Sequence, residues 1–139
     1  MKKIIINIIL IMTITLISGC SSIRNDEMIK MANVIINNNK YIVNFEDNDT
    51  VKDFLKILPN EFLMKELNGN EKYIYLEDKL SSNPAKVGHV SRGDIMLYQD
   101  NCLVIFYKSF DTPYSYTKIG HIDDLPSLDT NDIQVKFEI

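Results

Sequence analysis

The chain predicts a mainly β fold, a small barrel of about eight strands with one or two helices, and three observations carry that expectation. Segments rich in Val, Ile, Tyr and Phe recur through residues 29–139, separated by Asn, Gly and Asp clusters of turn composition. Only one stretch, residues 51–58, shows clear helical spacing of its apolar side chains. Residues 102–107 form an unbroken apolar run, the pattern of a strand buried on both faces or lying inside a barrel.

Residues 1–19 are set aside first. Lys2 and Lys3 make a basic start, and residues 4–17 are apolar apart from Asn7, Thr13 and Thr15. This run is shorter than the roughly 20 apolar residues of a spanning helix and ends in small residues, so it predicts a cleaved signal peptide. Leu16-Ile17-Ser18-Gly19-Cys20 resembles the lipobox of bacterial lipoproteins, in which the cysteine thiol takes a diacylglyceryl group. Each buried methylene contributes about 0.8 kcal/mol, so two or three acyl chains hold a protein stably where one does not. Cys20 is therefore the expected lipidation site, with membrane as a partner and the extracytoplasmic side of the bacterial envelope as the location. Residues 20–28 read as the lipidated N-terminus and tether, and residues 29–139 as one domain.

Within the domain, residues 29–36 and 40–45 form a predicted hairpin about Asn37-Asn38-Asn39. Asp47-Asn48-Asp49-Thr50 supplies capping side chains, and Val51, Phe54, Leu55 and Leu58 place one apolar face of a helix toward a core, ended by Pro59. A second hairpin joins residues 62–67 to 72–76 through Asn68-Gly69-Asn70. Ser81-Ser82-Asn83-Pro84 is a loop, Gly93-Asp94 turns the chain into a strand over 95–98, and Gln99-Asp100-Asn101 leads to the apolar run. Residues 114–122 continue as strand, residues 125–128 suggest a short helical turn, and residues 133–139 alternate as a closing strand.

Charge and motif content narrow the function classes. Loss of residues 1–19 leaves thirteen basic against nineteen acidic side chains, a formal charge of −6, which disfavours nucleic acid and anionic lipid as partners. The four glycines left, Gly69, Gly88, Gly93 and Gly120, make no phosphate-cradling loop, and no cofactor is expected. His89, His121 and Cys102 stand in separate segments, so no metal site is expected. With Cys20 lipidated, Cys102 has no disulfide partner; within its apolar run it reads as a small buried hydrophobe and not a nucleophile. Asp94, Asp100, Asp111, Asp123 and Asp124 flank strands as turn formers and caps, and no catalytic set is assigned. The richest stretch is Phe106, Tyr107, Phe110, Tyr114 and Tyr116 around Thr112-Pro113. Phe106, Phe110, Tyr114 and Tyr116 are the candidate ligand-binding residues, with core packing as the competing reading.

Asn68-Gly69-Asn70-Glu71-Lys72-Tyr73, Gly93-Asp94-Ile95-Met96-Leu97-Tyr98, the run from Asn101 to Tyr107, and Ser115-Tyr116-Thr117-Lys118-Ile119-Gly120-His121-Ile122 resemble, in that order, the bacterial cyclophilin-like fold proteins. The helix ending at Leu58-Pro59 fits the same family, so the resemblance covers residues 29–139. It implies a closed cyclophilin-type barrel of about eight strands with helical caps. True cyclophilins isomerise Xaa-Pro bonds, against a barrier of about 18–20 kcal/mol, with an arginine that hydrogen-bonds the twisting amide. That arginine lies in a Phe-His-Arg segment followed by Phe-Met-x-Gln, and this chain has neither; its arginines are Arg24 and Arg92. The expected function is a non-catalytic module at the envelope for a small ligand or extended peptide. A diverged peptidyl-prolyl isomerase assisting secreted proteins is the alternative, and a structural lipoprotein without a pocket is the third reading.

Overall fold

The computed structural model describes residues 27–139; the signal segment, Cys20 and Arg24 lie outside the described residues. Local turn chemistry sets the first hairpin. β1 (Met31–Ile36) and β2 (Asn39–Phe45) are joined by Asn37 and Asn38, both at positive φ, which asparagine tolerates and which matches the strand twist. Helix α1 (Asp49–Lys56) follows. The Asn48 side chain accepts a hydrogen bond from the Val51 backbone N–H at 2.9 Å, with Asp49 in the first turn and Lys56 in the last, as the helix dipole favours. Its buried residues are Thr50, Val51 and Phe54.

The second hairpin pairs β3 (Glu61–Leu67) with β4 (Glu71–Tyr75). Two short strands, β5 (Ala85–Lys86) and β6 (His89–Val90), precede β7 (Asp94–Tyr98) and β8 (Cys102–Phe106). Then come β9 (Phe110–Asp111), β10 (Ser115–Ile122) and β11 (Ile133–Glu138). The strand order β2-β1-β11-β3-β4-β8-β7-β10 closes on itself through antiparallel pairing of β10 with β2, making an eight-stranded barrel. Closure spares the sheet two exposed edges. At the seam Gly120 sits opposite Phe45, and a Cβ there would lie 2.3 Å from the Asn44 carbonyl oxygen, so only glycine allows this approach. The register of β10 against β7 shifts beside it, between Lys118 and Gly120, as a strand does where it bends to serve two partners.

Alternation divides the apolar side chains into two cores. Inside the barrel lie Val34, Val43, Met64, Leu103, Ile105 and Val135, with Phe54 of α1 plugging the end where Phe45, Phe62 and Phe137 meet. Outside it, Cys102, Val104 and Phe106 of β8 pack with Met96 and Tyr116 beneath the β6–β9 ribbon, which supplies Val90 and Phe110. β8 is therefore buried on both faces, which accounts for its unbroken apolar sequence.

The expected helical turn at residues 125–128 does not form; α1 is the one helix among the described residues. Pro126 pushes Leu125 away from the helical region, and the stretch instead crosses the barrel end opposite α1 as a strap, with Leu125 buried and Leu128 half-buried against the core. Under this strap sits a polar cluster absent from the sequence expectations. Lys72, fully buried, points into the barrel, where its ammonium binds Glu66 and donates to the Asp129 and Asn131 carbonyls at 2.6 Å each. The Tyr107 hydroxyl donates to the same Glu66 carboxylate at 3.0 Å. Burial raises the Glu66 pKa, but the bonds from Lys72 and Tyr107 outweigh it and hold the carboxyl below its ordinary value. Burial and the Glu66 charge push the Tyr107 phenol up to about 12.

Candidate functional site

The outer core is only partly roofed. Beside the β6–β9 ribbon a cleft of about 460 Å³ opens over the outer faces of β4, β8, β7 and β10, within the usual range of small-ligand pockets. Alternation along β4 sends Glu71, Tyr73 and Tyr75 to this face while Lys72 points into the barrel. Cys102 and Val104 of β8 form the floor, Tyr98 and Tyr116 rise from β7 and β10, and residues 110–114 make one wall. The wall is tied down. Thr112 N–H donates to the Gly88 carbonyl at 3.0 Å, and His89 Nδ1 meets Asp111 at 2.7 Å across the ribbon.

Aromatic contacts organise the interior. Tyr98 lies 5.7 Å from Tyr116 and 6.2 Å from Tyr114, and Tyr73 meets Tyr75 edge-on at 5.9 Å. The rim is apolar and wet: Tyr75 is 62% exposed, Tyr114 58% and Leu67 39%. Three of the seven large hydrophobic side chains exposed among the described residues thus gather at one cleft, the pattern of a surface that meets another molecule.

The electrostatics are acidic. Glu71 and Asp111 line the cleft with neither lysine nor arginine beside them. Burial, then the charge of Glu66, raises the Glu71 pKa. Burial, then the charge of Glu71, lifts the Cys102 thiol to about 11 and also raises the Tyr116 phenol. At neutral pH the Cys102 sulfur is a protonated thiol, unsuited to nucleophilic attack. His121 Nδ1 bonds with Asp94 at 2.9 Å and His89 with Asp111 at the cleft wall, and neither ring lines the cleft with Cys102. Among the described residues no group of three His, Cys, Asp or Glu is placed to hold a metal ion.

Of the four candidate residues from the sequence, Phe110, Tyr114 and Tyr116 line this cleft. Phe106 lies beneath it, fully buried, supporting Phe110 at 5.6 Å and Tyr116 at 5.5 Å, so its role is packing. Sequence reasoning missed Glu71, Tyr73, Tyr75 and Tyr98. The alternating Glu71, Tyr73 and Tyr75 were a readable signal of one strand face, but their meeting with Tyr114 depends on strand order. Arg92 is exposed and borders a separate shallow depression with Lys108 and Ser127, outside the cleft. A broader polar hollow, about 690 Å³, lies between the start of α1 and residues 81–87, walled by solvated side chains such as Asp49, Lys52 and Asn83.

A family model described as the cyclophilin-like family matches residues 34–138. No curated protein and no solved structure matches the chain.

Proposed function

Because the chain belongs to the cyclophilin-like family, we propose that its barrel serves as a non-catalytic binding module. It takes a small ligand in the tyrosine-lined cleft while lipid on Cys20 holds it to the extracytoplasmic side of a bacterial membrane. The observation that carries this reading is the joining of an apolar, exposed rim, Leu67, Tyr75 and Tyr114, to an interior of about 460 Å³. Catalysis finds less support there. Isomerisation calls for a hydrogen-bond donor aimed at the twisting amide, and Arg92 stands beside a different depression.

Benzyl alcohol, titrated into the full chain in nonionic detergent, is expected to shift amide resonances around Tyr73, Tyr98 and Tyr114. Tyr75→Ala with Tyr114→Ala should weaken that binding about tenfold and leave stability within about 0.5 kcal/mol, since both side chains are mostly exposed. Shifts scattered over the barrel, or a double variant that binds as well as the parent, would overturn the cleft as a binding site.

The anchor rests on the basic start, the apolar run and the lipobox at Cys20; among the described residues no helix is long and apolar enough to cross a membrane. Intact mass of the chain recovered from bacterial membranes should show cleavage before Cys20 plus acyl mass, and Cys20→Ala should release the protein from the membrane fraction. An unmodified Cys20 on a membrane-bound chain would remove the anchor from this reading.

A further inference from the structure

We infer that the cleft selects an organic ammonium carrying an apolar body, an inference that rests on the binding reading above and names its ligand class. Its lining combines tyrosine rings with two carboxylates and no cationic side chain. Aromatic faces carry the negative end of the ring quadrupole and attract a cation, the more so where water is thinned.

Glu71 gives the cleft its direction. Its neighbour Lys72 points through the sheet to the other face and pairs with Glu66, so the ammonium next to it in the strand is spent inside the barrel. What acts on the Glu71 carboxyl is burial and the like charge of Glu66 from β3, with neither a hydrogen bond nor an ion pair to relieve them. Facing it from β8 and β10 are the Cys102 thiol and the Tyr116 phenol, both neutral at pH 7, and Asp111, bonded to His89, adds a second carboxylate at the wall. A carboxylate without a donor, in a tyrosine-walled cleft, matches a ligand that brings N–H donors and positive charge. The volume suits a small amine, and an anion would meet two carboxylates.

Three probes of one shape separate charge from shape: benzylammonium, benzyl alcohol and benzoate. They are titrated into the full chain in nonionic detergent, at free concentrations matched by dialysis, and followed by amide resonances of the cleft. Benzylammonium is expected to bind about tenfold more tightly than benzyl alcohol, with benzoate weaker than both. Glu71→Gln should bring the ammonium within about twofold of the alcohol.

That variant should also stay folded. A carboxyl whose pKa is raised by folding costs stability above its folded pKa, and the cost vanishes below the ordinary glutamate range. Glu71→Gln should therefore melt higher than the parent near pH 7, with the gap closing as pH falls through the raised folded pKa toward the usual value of 4.5. Alcohol binding as tight as ammonium, a preference for benzoate, or an ammonium preference that survives Glu71→Gln each overturns the inference while the cleft remains a binding site. If none of the three probes shifts cleft amides, the binding reading falls with it.

Discussion

Lys72→Met is expected to destabilise the barrel by about 3 kcal/mol, because it removes a fully buried ammonium and leaves the half-buried Glu66 carboxylate and two strap carbonyls without it. The Lys72 side chain is fully buried, and its ammonium holds Glu66, the Asp129 carbonyl and the Asn131 carbonyl while lying 4.8 Å from the centre of the Tyr107 ring. Methionine fills a similar volume but donates no hydrogen bond. Glu66 would keep only the Tyr107 hydroxyl and the Gly69 N–H, and the strap at residues 129–131 would lose both of its bonds to the barrel interior.

Urea unfolding measures the loss, and the double variant Lys72→Met with Glu66→Leu interprets it. Removing both charges removes their desolvation cost, so the double variant should recover the part of the loss that comes from the unpaired Glu66 charge, while the strap's two bonds stay lost. The Glu66 contribution has a definite pH sense. Its folded pKa is depressed, so the stabilisation is present above the ordinary glutamate value and fades as pH falls through the folded one. A single variant within about 1 kcal/mol of the parent would mean that the ammonium does not hold the strap.

Phe54→Ala is expected to cost about 3–5 kcal/mol, through lost burial and the cavity left at the helical end of the barrel. Phe54 is the helix residue that enters the ring cluster, edge-on to Phe137 at 5.2 Å, edge-on to Phe45 at 6.3 Å and stacked on Phe62 at 6.5 Å. Phe54→Leu should cost less, about 1.5 kcal/mol or under, since most of the volume is kept. An unchanged urea midpoint for the alanine variant would show that α1 does not seal the barrel. Benzyl alcohol binding should be unchanged in Phe54→Leu, because the cleft lies on the outer face of the sheet and this ring inside it.

The local elements were legible where neighbouring residues set them. Asn37-Asn38 marks its own turn through positive φ, Asn48 caps the helix whose stripe begins at Val51, and residues 102–106 declare a doubly buried strand by being apolar throughout. Failures fell where distant residues decide. Pro126 disfavours a helical Leu125, but nothing local says that residues 125–131 must close a barrel end. Lys72 looks like a solvated strand residue until Glu66 and the strap carbonyls are placed around it. The strands β5, β6 and β9 have two residues each, too short for any period to be read.

The candidate site divides in the same way. Phe110, Tyr114 and Tyr116 were visible as an aromatic cluster because they are close in the chain, but that closeness could not tell the cleft wall from the buried support at Phe106. By itself the sequence determined the β character, the single clear helix, the hairpin turns and the segments resembling the cyclophilin-like family, since each depends on residues a few positions apart. Tertiary structure alone decided which strands close the barrel, that Lys72 is buried with Glu66, and that Glu71, Tyr73, Tyr75 and Tyr98 share a cleft with Tyr114. Those outcomes depend on strand order and on which face of each strand meets another, and burial and charge pairing act across the sheet between residues far apart in the chain.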